Sequence, residues 1–298
     1  MHCMIGHEIG HPLYLEKNIQ EKLLPIEIDP QSLAEASRKI RSRICTAEVF
    51  NGSSIEYGFD EKTVQRLVQS EVEKVVLKWF EELGADLFGL LLFGPAFVIS
   101  FIHFISTVLL LDESSQTHPP SRLRLRTLFR LCEELFPSED LFEPTRTFLS
   151  GWKTIACRVP DVENEDVDPV HTAALKTVSS QVEKLIGFVT SSLDGKLVYS
   201  QESYRFDCCK LPPLINAHIA PVQVLLGSEF LPASLVGVFN AGWQCYLTGL
   251  EGFKKTLDPR AVKEPADLCR KFNQFLLKSM ELTDILATWV EVKNDPVD

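Results

Sequence analysis

Residues 60–93 read DEKTVQRLVQSEVEKVVLKWFEELGADLFGLLLF, and this stretch predicts one long helix that organises the chain. Its apolar residues recur at intervals of three and four, which places them along one face of a helix. Asp60 is of a residue type that commonly caps a helix N-terminus, so we expect the helix to begin there and to run to about Phe93. The residues that carry the pattern are Val64, Leu67, Val68, Val72, Val75, Val76, Trp79 and Leu83.

Most of the remaining chain also has helical patterns, and the sequence predicts a mostly α-helical protein. Asp29 followed by Pro30 marks a helix start and predicts a helix over residues 30–45. An Asn-Gly-Ser-Ser cluster predicts a loop over residues 48–60, with a short strand or hairpin over 48–59 as an alternative. Further helices are expected at residues 96–111, 121–135, 139–156, 170–192, 221–226, 232–250 and 264–292.

An acidic stretch divides the sequence in two. Residues 158–169 (RVPDVENEDVDP) contain five acidic residues and two prolines and offer almost nothing to bury. Such a composition predicts a solvated linker or long loop. The expected organisation is a helical core over residues 1–157 and a helical C-terminal region over 170–298, for which the sequence indicates no role.

Composition and charge exclude several classes of protein. The chain has 298 residues, of which 45% are hydrophobic, so a largely disordered chain is excluded. The net charge of −11 argues against nucleic acid as the main partner. The eight cysteines form no CxxC pair, and the first residues lack a basic segment followed by a long apolar run. A cytoplasmic protein is the expectation.

One apolar segment allows a different interpretation. Leu87–Leu111 contains no Asp, Glu, Lys or Arg and exceeds the roughly 20 residues that span a bilayer. Gly94 and Pro95 interrupt it, and a proline removes a helix hydrogen bond and clashes with the preceding turn. Two consecutive buried helices are therefore the favoured interpretation, and membrane association through residues 87–111 is the alternative.

The N-terminal segment His7-Glu8-Ile9-Gly10-His11 is an HExxH motif. Histidines four residues apart lie on one face of a helix, where they can bind the same zinc ion. Glu8 beside them could take a proton from a metal-activated water. The alternative is a surface helix end with two solvated histidines. Pro12 follows directly and is expected to end or kink this helix.

A third zinc ligand is available on the long helix. A helical wheel places Glu82 and Asp86 on the same apolar stripe as Trp79 and Leu90. Unpaired buried carboxylates cost several kcal/mol, so this placement requires a cation or strong hydrogen-bond donors. The alternative is that both carboxylates pair with an arginine where two helices cross. Glu81 lies on the opposite side of the wheel and is expected to be solvated.

The segment Thr117-His118-Pro119-Pro120-Ser121-Arg122-Leu123-Arg124 is the third candidate. A histidine fixed by prolines could donate a hydrogen bond to a developing oxyanion, and a nearby arginine could neutralise a buried aspartate. The alternative is a plain turn with an exposed histidine.

The order of these segments, HEIGH, ELGAD and THPPSRLR, resembles the gluzincin metallopeptidases of the HtpX-type and CAAX prenyl protease branch. The resemblance covers about residues 5–130 and implies zinc-dependent hydrolysis of a peptide or protein substrate. It also implies a role for each matched residue: His7, His11 and Glu82 as zinc ligands, Glu8 as general base, Asp86 as an acceptor that orients a ligand histidine, His118 as a transition-state donor, and Arg124 as a partner near Asp86.

The chain departs from that branch upstream of the motif. Its members place a sheet upstream of the motif, whose edge strand holds the peptide, whereas only six residues precede His7. The expectation is that the chain begins inside a longer protein or has lost this mode of peptide binding. The rival hypotheses are a non-catalytic helical interaction protein derived from a truncated zincin and an integral membrane protease that uses residues 87–111.

Overall fold

The computed structural model describes most of the chain. The described residues are mostly helical, which confirms the predicted fold class. The predicted loop or hairpin over 48–59 and most of the acidic stretch at 158–169 lie outside them. The described residues are 4–46, 60–107, 111–158, 168–226, 229–258, 260, 262 and 264–294.

The elements follow one another as short and long helices with one small hairpin. A 3₁₀ turn at Ser138–Asp140 lies between α6 and α7. The helices are α1 (Met4–Glu16), α2 (Ile19–Leu23), α3 (Pro30–Thr46), α4 (Glu61–Phe93), α5 (Pro95–Ser106), α6 (Ser121–Leu135), α7 (Glu143–Cys157), α8 (Pro169–Ser192), α9 (Gln201–Asn216), α10 (Leu235–Leu247), α11 (Glu251–Lys255) and α12 (Pro265–Asn294). Strands β1 (Gln223–Leu226) and β2 (Glu229–Pro232) pair antiparallel.

Helix α4 is the central element, as the periodicity predicts. The Asp60 side chain accepts a hydrogen bond of 2.7 Å from the backbone N–H of Thr63 and caps the helix. At the other end Gly94 has a positive φ of 63°, a conformation that favours glycine, and Pro95 begins α5. The apolar segment is therefore divided between two helices, and most of its described side chains are buried. Among the described residues, no helix is both long enough and apolar enough to cross a bilayer.

The main hydrophobic core forms around α4. Helices α1, α3, α6 and α8 pack against it, and its own Trp79, Phe80 and Phe88 are fully buried. Because α8 belongs to this core, side chains from both sides of the acidic stretch contribute to it. A smaller core is formed by α9, α10, α11 and α12. The division of the chain at residues 158–169 stays a prediction.

One predicted element has the wrong type. Residues 223–226 form strand β1, where we expect a helix over 221–226. Four apolar or neutral residues before a Gly-Ser step are too few to establish a helical period, and such runs suit a hairpin strand equally well. The sequence patterns also miss helix α9, because Pro212 and Pro213 argue against a helix that nevertheless contains both.

Candidate metal centre

Helices α1 and α4 approach each other closely because small residues lie at their crossing. A Cβ atom at Gly10 would collide with the backbone of Ala85, and one at Gly84 would collide with the ring of Tyr14. Any larger residue at either glycine would separate the helices. The close approach brings the histidines of α1 to the carboxylates of α4.

Pro12 does not end helix α1, which continues to Glu16. Of the two outcomes expected for Pro12, an end of the helix is therefore wrong, and a kink stays a prediction. The proline deprives the Glu8 carbonyl of its usual donor, but Pro12 and Glu8 both lie on the exposed side of the helix, where water can replace the lost bond. The packing of Gly10 and Tyr14 against α4 holds the inner side in place.

Three side chains converge at this crossing. Nε2 of His7 lies 3.2 Å from Nε2 of His11 and 3.4 Å from Oε2 of Glu82. Nε2 of His11 lies 3.6 Å from Oε1 of Glu82. A tetrahedral zinc ion with ligands at about 2.0–2.2 Å holds its ligand atoms roughly 3.3–3.6 Å apart. The two histidine nitrogens, and the Glu82 oxygen nearest to each, lie at about these separations, and one ligand atom from each of the three residues lies within 4.8 Å of the other two.

The Glu82 carboxylate lacks a full set of partners. Its Oε2 atom is buried without a hydrogen bond among the described residues. The nearest nitrogen atoms of basic side chains are Nε2 of His7 at 3.4 Å, Nε2 of His118 at 3.6 Å and a terminal nitrogen of Arg124 at 3.8 Å. Burial alone would raise the pKa of Glu82, but interactions with His7 and Arg124 outweigh burial and lower it. An ionised, underbonded oxygen beside two ring nitrogens fits a metal cation.

Asp86 is fully buried and forms the most strongly paired part of the site. It accepts hydrogen bonds from Arg124 at 2.7 and 2.8 Å and lies 2.9 Å from Nδ1 of His7. The Arg124 guanidinium is itself buried, 4.7 Å from the centre of the Phe101 ring. Burial alone would raise the pKa of Asp86, but Arg124 and His7 hold it below its ordinary value. The expected burial of Asp86 with His7, His11 or Arg124 as a partner is confirmed for His7 and Arg124, and its role at a metal site stays a prediction.

The contact with Asp86 determines which nitrogen of the His7 ring is available to a metal. When Nδ1–H donates to Asp86, the lone pair of the ring is on Nε2, which faces His11 and Glu82. Burial lowers the pKa of His7, but the nearby carboxylates of Asp86 and Glu82 outweigh this effect and raise it to about 9. Without a metal, His7 therefore carries a second proton near neutral pH, and a metal has to displace that proton.

Glu8 and His118 are more exposed than the three candidate ligands. Glu8 is exposed on α1, and the His118 side chain is 59% exposed. The turn that carries His118 is fixed to α4, because the Trp79 indole donates to the Ser115 carbonyl at 2.9 Å and the Ser115 hydroxyl accepts from the His118 N–H. Nε2 of His118 is thereby held 3.6 Å from Glu82. The catalytic roles of both residues stay predictions.

Glu81 is the residue that the sequence interpretation misses. Its Oε1 atom lies 3.3 Å from Nδ1 of His11, and its Oε2 atom accepts a hydrogen bond of 2.9 Å from Lys78. The expectation of a solvated side chain on the opposite face is wrong, since the side chain is only 21% exposed. A wheel of one helix cannot show where a second helix crosses it; the need of His11 for an acceptor at Nδ1 is the signal that could have found Glu81.

Comparisons of the chain with protein-family models, with curated proteins and with solved structures found no match of any of the three kinds.

Proposed function

We propose that this chain is a zinc metallopeptidase-like hydrolase of the gluzincin type, with His7, His11 and Glu82 as metal ligands. The observation that carries the proposal is the convergence of two imidazole nitrogens, 3.2 Å apart, on a buried carboxylate whose two oxygens lie 3.4 Å from His7 and 3.6 Å from His11. Two lone pairs and a carboxylate this close together repel one another unless a proton or a cation lies between them.

Each polar residue around the cluster would have a separate role in hydrolysis. A zinc ion in this site would polarise a peptide carbonyl and activate a water molecule. The Glu8 carboxylate, next in sequence to His7 and exposed, would accept the proton of that water and return it to the leaving amine. His118 would donate from Nε2 to the oxyanion that develops on the carbonyl oxygen. Asp86 holds the His7 ring, and Arg124 neutralises Asp86.

The resemblance of HEIGH, ELGAD and THPPSRLR to HtpX-type and CAAX prenyl proteases supports the same assignment. Asp86 pairs with Arg124, as the alternative interpretation expects, and it also contacts His7, as the resemblance implies. A peptide or protein substrate and a cytoplasmic location stay predictions. The rival function is a helical interaction protein whose metal site is structural.

The first test measures bound zinc. After dialysis, elemental analysis should find about one zinc per chain in the native protein and almost none in His11→Ala. His103→Ala is a matched control, because it removes an exposed histidine from α5. Equal zinc in the native protein and in His11→Ala would contradict the ligand assignment.

The second test separates the enzyme from the interaction protein. Glu8→Gln keeps the side-chain shape but removes the base, so zinc should stay bound while hydrolysis of a fluorescent casein falls by roughly a hundredfold or more. Glu16→Gln, at an exposed position of the same helix, should hydrolyse casein at the native rate. Native protein that binds zinc yet cleaves neither casein nor a peptide library would favour the interaction protein.

A further inference from the structure

We propose that Glu81 is a positioning residue for the metal centre: it accepts the Nδ1–H of His11 and so directs Nε2 of that ring to the metal. The inference rests on the proposed zinc site and adds to it a carboxylate outside the three ligands and outside the ExxxD segment. No role is given to Glu81 by the resemblance to gluzincins stated above.

The two ring nitrogens of His11 face different groups. Nε2 belongs to the converging cluster, 3.2 Å from His7 and 3.6 Å from Glu82. An imidazole that binds metal through Nε2 carries its proton on Nδ1, and that proton requires an acceptor. Oε1 of Glu81 lies 3.3 Å from Nδ1, on the opposite side of the ring from the cluster.

His7 has the same arrangement as His11, with a carboxylate near Nδ1 and the cluster near Nε2. The Nδ1 atom of His7 lies 2.9 Å from Asp86, and both rings turn Nε2 towards Glu82. Helix α4 therefore supplies a carboxylate for each histidine, five residues apart, while α1 presents the histidines four residues apart. Each ring therefore has a carboxylate near Nδ1 and the cluster near Nε2, an arrangement that would select one tautomer and one ring orientation when metal is bound.

The Glu81 side chain is positioned by a neighbour on its own helix. Lys78, one turn earlier on α4, donates to Oε2 at 2.9 Å and leaves Oε1 available to His11. The Glu81 side chain is 21% exposed and Asp86 is fully buried, so solvent screens the contact of Glu81 more strongly. We therefore expect Glu81 to contribute less to metal affinity than Asp86, but measurably.

The affinity test compares the zinc dissociation constants of four full-length proteins, by competition with a chromophoric chelator. Glu81→Ala should bind zinc about tenfold more weakly than the native protein, whereas Glu81→Gln retains an acceptor oxygen and should lose roughly threefold or less. Glu71→Ala is the matched control, because Glu71 is an exposed α4 carboxylate paired with Lys74. It should bind zinc like the native protein.

Two results would overturn the role of Glu81 and leave the zinc site intact. One is native affinity in Glu81→Ala. The other is an equal loss in Glu81→Ala and Glu81→Gln, because both remove the negative charge and only Gln keeps the acceptor. A native chain that binds no zinc would overturn the proposed function together with this inference.

A spectroscopic test follows the proton itself. In the zinc-loaded protein with ¹⁵N-labelled histidine, the Nδ1–H of His11 should give a slowly exchanging resonance. Glu81→Ala should lose this protection and Glu81→Gln should keep it, while the Nδ1–H of His7 remains protected in both. Unchanged protection of His11 in Glu81→Ala would refute the contact, and far-UV circular dichroism confirms that each variant is folded.

Discussion

Asp86 and Asp207 are both carboxylates buried on helices, and their neighbours differ in kind. Asp86, on α4, is paired with the Arg124 guanidinium and contacts the His7 ring. Asp207, on α9, accepts hydrogen bonds from the hydroxyls of Tyr199 at 3.0 Å and Ser234 at 3.2 Å. The pKa of Asp86 is held below its ordinary value, whereas burial raises the pKa of Asp207 and the hydroxyls offset only part of that rise.

The comparison shows that burial of a carboxylate does not by itself indicate a functional site. Asp207 lies against Gly237 so closely that a Cβ atom there would collide with the carboxylate, and this packing leaves no room for a ligand on that side. Asp86 instead connects through His7 to a cluster that includes an underbonded Glu82 oxygen and reaches the surface at His118. Charged partners and a path to solvent distinguish the candidate site.

The largest loss of unfolding free energy should follow from removing the cation beside Asp86. Arg124→Met leaves the buried carboxylate with His7 alone, and breaking a buried ion pair costs about 3–5 kcal/mol of unfolding free energy. Arg130→Met is the control, because Arg130 makes only exposed ion pairs with Glu134 and Glu183 and should cost about 1 kcal/mol or less. Urea unfolding measures both, and a similar loss in the two variants would contradict the comparison.

The sequence predicts the elements whose pattern is long and local. Helix α4 is 33 residues long, its apolar residues recur every three or four positions, and Asp60 caps it, so both its existence and its start could be predicted. The HExxH and ExxxD spacings likewise predict which side chains share one helix face, because those spacings depend on a single helix. The structure brings His7, His11 and Glu82 to within reach of one ion.

The sequence does not predict features that depend on where two elements meet. Helix α1 continues past Pro12 because its inner face packs against α4, so tertiary contact overrides local propensity. Glu81 meets His11 because the helices cross there, which no single wheel shows. The strand at 223–226 is too short to have a distinguishable period.

The next effect concerns the pH dependence of stability and arises from His7. Its pKa is raised from 6.5 to about 9, so protonated His7 stabilises the fold below pH 6.5, and this contribution is lost as pH rises through 9. In EDTA, the native protein should lose on the order of 2 kcal/mol of unfolding free energy over this window, after discounting the shift for solvent screening. His7→Gln should lose less, and parallel curves for the two proteins would refute the raised pKa.

A smaller effect is expected on zinc affinity. Asp86→Asn retains an oxygen that can accept from His7 but removes the charge that Arg124 neutralises, so zinc should bind roughly tenfold more weakly, or about 1.4 kcal/mol. Asp86→Ala should weaken binding by about 10–100-fold. Asp207→Asn should bind zinc like the native protein. Chelator competition measures the three, and equal affinities for the Asp86 variants and the native protein would make Asp86 a purely structural residue.

The smallest change in unfolding free energy should come from substitution of Asp207. The direction in which stability varies with pH there tests the comparison with Asp86 most directly. A raised pKa means that the protonated carboxyl stabilises the fold at acidic pH and that this contribution is lost as pH rises from about 4 towards neutrality. Asparagine keeps an oxygen with two lone pairs for Tyr199 and Ser234 and cannot ionise. We therefore expect the unfolding free energy of Asp207→Asn to vary less between pH 4 and 7 than that of the native protein, and to stay within about 1 kcal/mol of it at pH 7. Urea unfolding across this pH range decides the matter, because a loss as large as that of Arg124→Met would mean that Asp207 is needed as a charge, and the distinction between the two aspartates would fail.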